Sequence, residues 1–289
     1  MREPSIVHVP FNPSLEGLAE MRPDIIFSEA AGQPLKLTLL VPWRDWRNEA
    51  APPKRPLIVF VQGSGFTFPN VNYEIPQLAE YARNGYVVAT VTHRSVLDGH
   101  PFPASLQDVK TAIRFLRKHA EEYGIDPDRI GIWGTSSGGN IALLVGLTQG
   151  DPAYGTEEHA GYSDAVKCVV DCFGPTDMVA SYQYVKATQD PRFVDLFRGL
   201  LDGKEDLGLL RAMSPLHRVE KGRVCPPVLI LHGDADDVVP YEQSLQMCEA
   251  LLEAGCTAEM VRVENGPHEG AFWSRDVHRL IMDFFNRHL

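Results

Sequence analysis

The sequence predicts an α/β fold, a mostly parallel sheet with helices on both faces. Three observations carry that expectation. Short strand-like runs, PLIVFVQG, YVVATVTH, RIGIWG, AVKCVVDCFG, PVLILHG and AEMVRVEN, recur along the chain, and the apolar, β-branched PLIVFVQG and YVVATVTH mark strands buried on both faces. Segments with helical spacing lie between them. The regular alternation of strand and helix is what the crossovers of a parallel sheet require.

In chain order, Asp24 to Pro42 reads as two strands joined at Gly32, an N-terminal antiparallel hairpin, and WRDWRNEAAPPKRP after it as an exposed connection. A polar helix, Tyr73 to Asn84, follows PLIVFVQG. After YVVATVTH, residues 103–124 form a helix with Leu106, Val109, Ile113, Leu116 and Ala120 on one face. The segment NIALLVGLT is apolar nearly all round, which places its helix inside the fold. YEQSLQMCEALLEAG and the C-terminal FWSRDVHRLIMDFFNRHL supply two further helices. Between Asp177 and Pro215 the rhythm breaks into an aromatic-rich, partly helical stretch, read as a small helical cap over about residues 178–214. Insertions after strand ends tend to sit over the site. Length alone leaves one or two domains open, and the expectation is a single domain, 1–289, with that insertion as part of it.

Composition narrows the function. A net charge of −11, with no lysine or arginine block, repels phosphate backbones and anionic lipid; neither nucleic acid nor membrane is an expected partner. No segment approaches the ~18 to 20 uncharged apolar residues that span a bilayer, and the N-terminal stretch lacks an apolar secretion core. The cytoplasm is the expected location. The five cysteines are expected as buried free thiols, because a chain of this length builds a core without disulfide staples.

The run GIWGTSSGGN, Gly131 to Asn140, points to chemistry. Gly134-Thr135-Ser136-Ser137-Gly138 fits G-x-S-x-G directly between a strand and a helix, the context in which the motif presents a serine on a sharp turn. The nucleophile is then Ser136, and Ser137 contributes its backbone N–H, so that Ser137→Ala is expected to cost little. A phosphate loop needs a lysine after the glycines, and none follows. A serine hydroxyl needs a base, and the base an orienting carboxylate. DADDVVP follows one buried strand and GPHEGAF the last one, giving Ser, Asp, His in order. The spacing His232-Gly233-x-x-Asp236-x-x-Val239-Pro240 favours Asp236 over Asp234 and Asp237. His268 alone among the histidines stands in the loop directly after the last strand; His232 lies beside the acid, and His93 and His100 in an earlier loop. HEGAF is not H-E-x-x-H, and no metal site is suggested. Oxyanion donors are expected from Ser137 N–H and from Gln62-Gly63-Ser64-Gly65, with Ser64 N–H the first choice and Gly65 joining it. Phe66, Phe68, Phe173 and Trp273 follow strand ends and are expected to wall an apolar substrate pocket.

With these residues in hand, the sequence resembles the esterase and lipase branch of the α/β-hydrolase superfamily. Within it, the likeness is to the bacterial feruloyl and acetyl-xylan esterase-like (BD-FAE-like) group. It rests on IDPDRIGIWGTSSGGN, FPASLQDVKTAIRFLRKHA, VVDCFGPTDM and PPVLILHGDADDVVPYEQSLQMCEALLEAG leading to GPHEGAF, and covers most of the chain from Asp24 on. The hormone-sensitive-lipase branch is similar too, but typically reads Gly-Asp-Ser-Ala-Gly and His-Gly-Gly-Gly where this chain has Gly-Thr-Ser-Ser-Gly and Gln-Gly-Ser-Gly. The resemblance implies hydrolysis of short-chain or aryl carboxylic esters, acetyl or feruloyl esters of plant polysaccharides among them, through an acyl-enzyme without metal or cofactor. The implied partner is a small-molecule or oligosaccharide ester, and the quaternary state, a homodimer included, stays open. An amidase, peptidase or arylformamidase on the same fold is the rival enzyme reading. A binding protein that has lost its catalytic residues is the rival of another class, and Ser136, Asp236 and His268 all stand against it.

Overall fold

A computed structural model describes residues 5–29, 32, 34–44, 53–222 and 224–289; residues 45–52 of the expected exposed connection lie outside them. Eight strands form one sheet: β1 (Ala19–Ser28), β2 (Leu35–Pro42), β3 (Arg55–Val61), β4 (Val87–Val91), β5 (Ile125–Thr135), β6 (Cys168–Cys172), β7 (Val228–Gly233) and β8 (Ala258–Val263). Their spatial order is β1, β2, β4, β3, β5, β6, β7, β8. The pairs β1–β2 and β2–β4 are antiparallel and all other neighbouring pairs are parallel. This is the α/β-hydrolase arrangement, a mostly parallel sheet with an antiparallel N-terminal hairpin. The hairpin starts earlier than the sequence pattern indicated, at Ala19 rather than Asp24, because half-exposed residues of an edge strand carry no apolar run.

The central strands read as continuous apolar runs because both faces are covered. Leu57, Val59, Val61, Ile132, Val169 and Ile230 face the layer of α2 (Ala104–Lys118), α4 (Ser137–Leu147) and α8 (Tyr241–Glu253). Ile58, Phe60, Trp133, Val170 and Leu229 face α1 (Ile75–Arg83) and α9 (Arg275–His288). Every residue of α4 is buried, as its all-round apolar sequence requires. The residue 103–124 helix is two, α2 and a single turn α3 (Ala120–Tyr123), separated at His119. After β6 come α5 (Met178–Thr188), α6 (Pro191–Leu200) and α7 (Leu207–Ala212), occupying the stretch expected as a cap.

Cys225 and Cys256 are joined in a disulfide, with Cα atoms 5.9 Å apart, correcting the expectation of five free thiols. The two residues precede β7 and β8, which pair from Val228 and Ala258 onward, so the sheet brings together cysteines that lie 31 residues apart in sequence. Cys168, Cys172 and Cys248 are free and buried. Among the described residues, no helix is long and apolar enough to cross a membrane.

Candidate active site

Ser136 sits between β5 and α4 at φ 51°, ψ −124°, a conformation that costs a non-glycine residue on the order of 1–3 kcal/mol. Its surroundings leave it no alternative. A Cβ on Gly134 would lie 2.0 Å from Gly138 O, and one on Gly138 would lie 2.0 Å from Val61 O. Only glycines allow strand, turn and helix to pass this closely, which is why the motif brackets the serine with them. The Ser136 N–H donates to Cys172 O at 2.9 Å, tying the turn to β6. The Gly139 position is closed by Asp171, whose Oδ1 would lie 2.1 Å from a Cβ there.

Two loops at the carboxyl ends of β7 and β8 bring a carboxylate and an imidazole to this serine. His268 Nε2 lies 3.0 Å from Ser136 Oγ, and His268 Nδ1 lies 2.7 Å from Asp236 Oδ2. The loops touch: a Cβ on Gly233 would meet Gly266 O at 2.1 Å, and Ala235 N–H donates to Gly266 O at 3.1 Å. Asp236 is the carboxylate in contact because its rivals are engaged elsewhere, Asp234 with Arg262 and the Asn265 N–H, Asp237 with Arg192. Burial alone would raise the Asp236 pKa. Hydrogen bonds from His232 and His268, the charge of His268 and the Val239 N–H reverse that and hold the carboxyl well below the usual carboxylate range. Asp236 therefore faces the imidazole as an anion.

The loop after β3 lies against the elbow. Gly63 N–H donates to Thr135 Oγ1 at 2.8 Å and Ser64 N–H to Ser137 Oγ at 2.9 Å. The first-choice oxyanion donor is thus occupied by the side chain of the residue after the nucleophile. Gly65 N–H and Ser137 N–H, in contrast, make no hydrogen bond among the described residues, and both residues line the cavity over Ser136. The Ser64 hydroxyl also turns away: it donates to Thr67 O while Thr67 Oγ1 donates to Ser64 O, both at 2.6 Å. Gln62, where many relatives carry histidine, accepts the Asn70 N–H at 2.6 Å and braces the loop in its place.

A cavity of about 400 Å³ opens from Ser136, Ser137 and Gly65 towards α5 and α6. Its walls are apolar, from Met178, Val185, Phe193, Leu196 and Phe197 of α5 and α6 together with Phe66. Of the four aromatic residues expected as walls, only Phe66 is one. Phe68 points to solvent at 53% exposure. Phe173, turned at φ 46°, is wholly buried behind the imidazole, ring centroids 4.7 Å apart from His268. Trp273 lines a separate cavity of about 310 Å³ with Trp133, Glu74 and Glu269, where burial and then the Glu269 charge push the Glu74 carboxyl up to about 8. Motif spacing also missed His232, which contacts Asp236, and Thr135. The signal was present: both stand inside motifs already singled out, one residue from a glycine on which the packing depends. Among the described residues, no group of three or more histidine, cysteine or acidic side chains is arranged to hold a metal ion.

The sequence model of the BD-FAE family matches residues 46–251. The chain belongs to the BD-FAE family. As a BD-FAE protein it is similar to Esterase LipC of Mycobacterium tuberculosis, 31% identical over 71% of this chain and 51% of the relative, and to Esterase LipQ of the same organism, 30% identical over 80% and 53%. This BD-FAE chain spans about half the length of those curated relatives. Among solved structures, it resembles a truncated carbohydrate esterase from gut microbiota, with a TM-score of 0.76, 28% identity and coverage of 93% and 96% of the two chains. Propionate-bound esterase 2 of Thermogutta terrifontis matches with a TM-score of 0.73 and 27% identity over 95% and 96%.

Proposed function

We propose that this protein is a serine carboxylesterase acting on short-chain or aryl esters through an acyl-enzyme. The observation that carries the reading is the unbroken chain Ser136 Oγ to His268 Nε2, 3.0 Å, and His268 Nδ1 to Asp236 Oδ2, 2.7 Å, at the floor of an apolar cavity. His268 takes the Ser136 proton as Oγ bonds to the ester carbonyl carbon, while anionic Asp236 holds the tautomer and stabilises the imidazolium. Gly65 N–H and Ser137 N–H, at the start of α4, are the donors for the tetrahedral oxygen. Collapse breaks the bond to the alcohol, which leaves with the proton from His268. Water, deprotonated in turn by His268, attacks the acyl carbon and releases the acid and Ser136.

The apolar walls support an acyl group in the cavity over Ser136, and the propionate and butyrate bound in the Thermogutta esterase structures are short-chain acids, which supports a short acyl group here. The carbohydrate esterase neighbour supports acetyl or feruloyl groups on plant polysaccharides as physiological esters, a small-molecule or oligosaccharide substrate in either case. The test is hydrolysis of p-nitrophenyl esters from acetate to decanoate beside methyl ferulate and acetylated xylan. Highest kcat/KM at butyrate or shorter, or on methyl ferulate, supports the reading; a preference for decanoate, or no ester cleaved at all, overturns it.

A further inference from the structure

The carboxylate that orients His268 is itself held from its far side. His232 ends β7, is wholly buried, and places Nε2 3.1 Å from Asp236 Oδ2 and 3.0 Å from Val239 O. Both neighbours are hydrogen-bond acceptors, so Nε2 carries the hydrogen and shares it between them. In the neutral ring, Nδ1 is then an acceptor, and it receives the hydroxyl of Ser244 on α8, 2.6 Å away and also wholly buried. Ser244 thereby fixes which nitrogen of His232 faces the carboxylate.

Counting donors on Asp236 shows what this adds. Oδ1 accepts Val238 N–H at 2.8 Å and Val239 N–H at 2.9 Å. Oδ2 accepts His268 at 2.7 Å and His232 at 3.1 Å. A carboxylate has about four lone-pair sites, and all are filled. The two backbone bonds on Oδ1 form a pivot; without His232, His268 is the only group among the described residues that fixes where Oδ2 swings. We propose that His232 is a positioning residue for ester hydrolysis: with Ser244 behind it, it holds Asp236 Oδ2 under His268 Nδ1, so that the imidazole presents Nε2 to Ser136. The inference rests on the reading of Ser136, His268 and Asp236 as the reacting set.

The experiment compares His232→Phe, which fills the space without a donor, His232→Gln, which keeps an N–H donor, and Ser244→Ala, measuring kcat and KM on p-nitrophenyl butyrate together with Tm. His232→Phe is expected to lower kcat about 10- to 100-fold, by analogy with the loss of a hydrogen-bond partner that orients a metal-ligating side chain, with KM changed less than about 3-fold. His232→Gln is expected to recover most of that loss, and Ser244→Ala to lower kcat about 3- to 10-fold. Should His232→Phe not fold, Ser244→Ala decides: an unchanged kcat there overturns the proposal. It is also overturned if folded His232→Phe keeps kcat within about 2-fold, or if His232→Gln and His232→Phe lose the same amount. Wild-type protein that cleaves no ester, or Ser136→Ala that cleaves it as well as wild type, sinks the underlying reading instead.

Discussion

The elbow that carries Ser136 and the helices α5 and α6 across the cavity from it hold their places by different means. Around the elbow the constraint is backbone against backbone: Gly134 and Gly138 each leave 2.0 Å to a carbonyl oxygen where a Cβ would stand, and Thr135 and Ser137 pin the loop after β3 through main-chain N–H groups. In α5 and α6 the constraint is side chain against side chain: Leu200 packs into the core, Phe197 is buried at the cavity wall, and Phe193 and Leu196 remain only partly covered and face the cavity. The contrast teaches where reaction and substrate choice are written. Small residues at fixed spacing impose one backbone path, and hence one position for Oγ. An apolar surface tolerates exchange of one hydrophobic side chain for another, and changes what fits rather than what reacts.

Four substitutions sharpen or break that contrast. Gly138→Ala is expected to have the largest effect, because the methyl group meets Val61 O at 2.0 Å and neither backbone can give way; ester hydrolysis falls at least ~100-fold and Tm drops, read from initial rates and thermal unfolding. Ser137→Ala comes next. Its hydroxyl was expected to be dispensable, yet it accepts the Ser64 N–H, and its loss leaves that donor unpaired beside the proposed oxyanion donors; kcat is expected to fall about 10-fold with KM nearly unchanged. Leu196→Trp is expected to leave kcat on p-nitrophenyl acetate within about 3-fold while lowering kcat/KM on longer esters by about 10-fold, because added volume shortens the cavity. Phe68→Ala, at an exposed side chain outside the cavity, is expected to change kcat/KM less than about 2-fold. If Leu196→Trp depressed every ester equally, or Gly138→Ala altered only chain-length preference, the division between the regions would be wrong.

Much of this was legible in the sequence, for reasons that also mark the limit. Strands of the parallel sheet advertise themselves because burial on both faces demands apolar residues throughout; β1, an edge strand with half-exposed residues, does not. Ser136 and its partners were legible because a strained turn can be built only from residues such as Gly134 and Gly138, and because Asp236 and His268 stand at strand ends. The walls were not. Phe68, Phe173 and Trp273 follow strand ends as Phe66 does, but which way each ring turns depends on backbone angles, such as φ 46° at Phe173, that no local pattern dictates. His232 and Ser244 meet across β7 and α8, a contact that exists only once the helix is packed.

The buried Asp171 behind the elbow supplies a test of stability rather than turnover. Burial pushes its carboxyl from 3.8 up to about 7, opposed only in part by the Gly174 N–H that it accepts. A carboxyl whose pKa is higher in the folded than in the unfolded chain favours folding when protonated. That contribution is complete below about pH 4 and is lost as the pH rises through about 7. Between pH 5 and pH 8, the Tm of wild type is therefore expected to fall relative to that of Asp171→Asn by a few degrees.

The most direct test of the central claim is intact-protein and peptide mass spectrometry after reaction with a fluorophosphonate. The expected result is one adduct per chain, on the peptide containing Ser136 and at that residue, with none formed in Ser136→Ala. An adduct on Ser137 or elsewhere, labelling that survives Ser136→Ala, or active protein that takes up no reagent would contradict the assignment of Ser136 as the nucleophile.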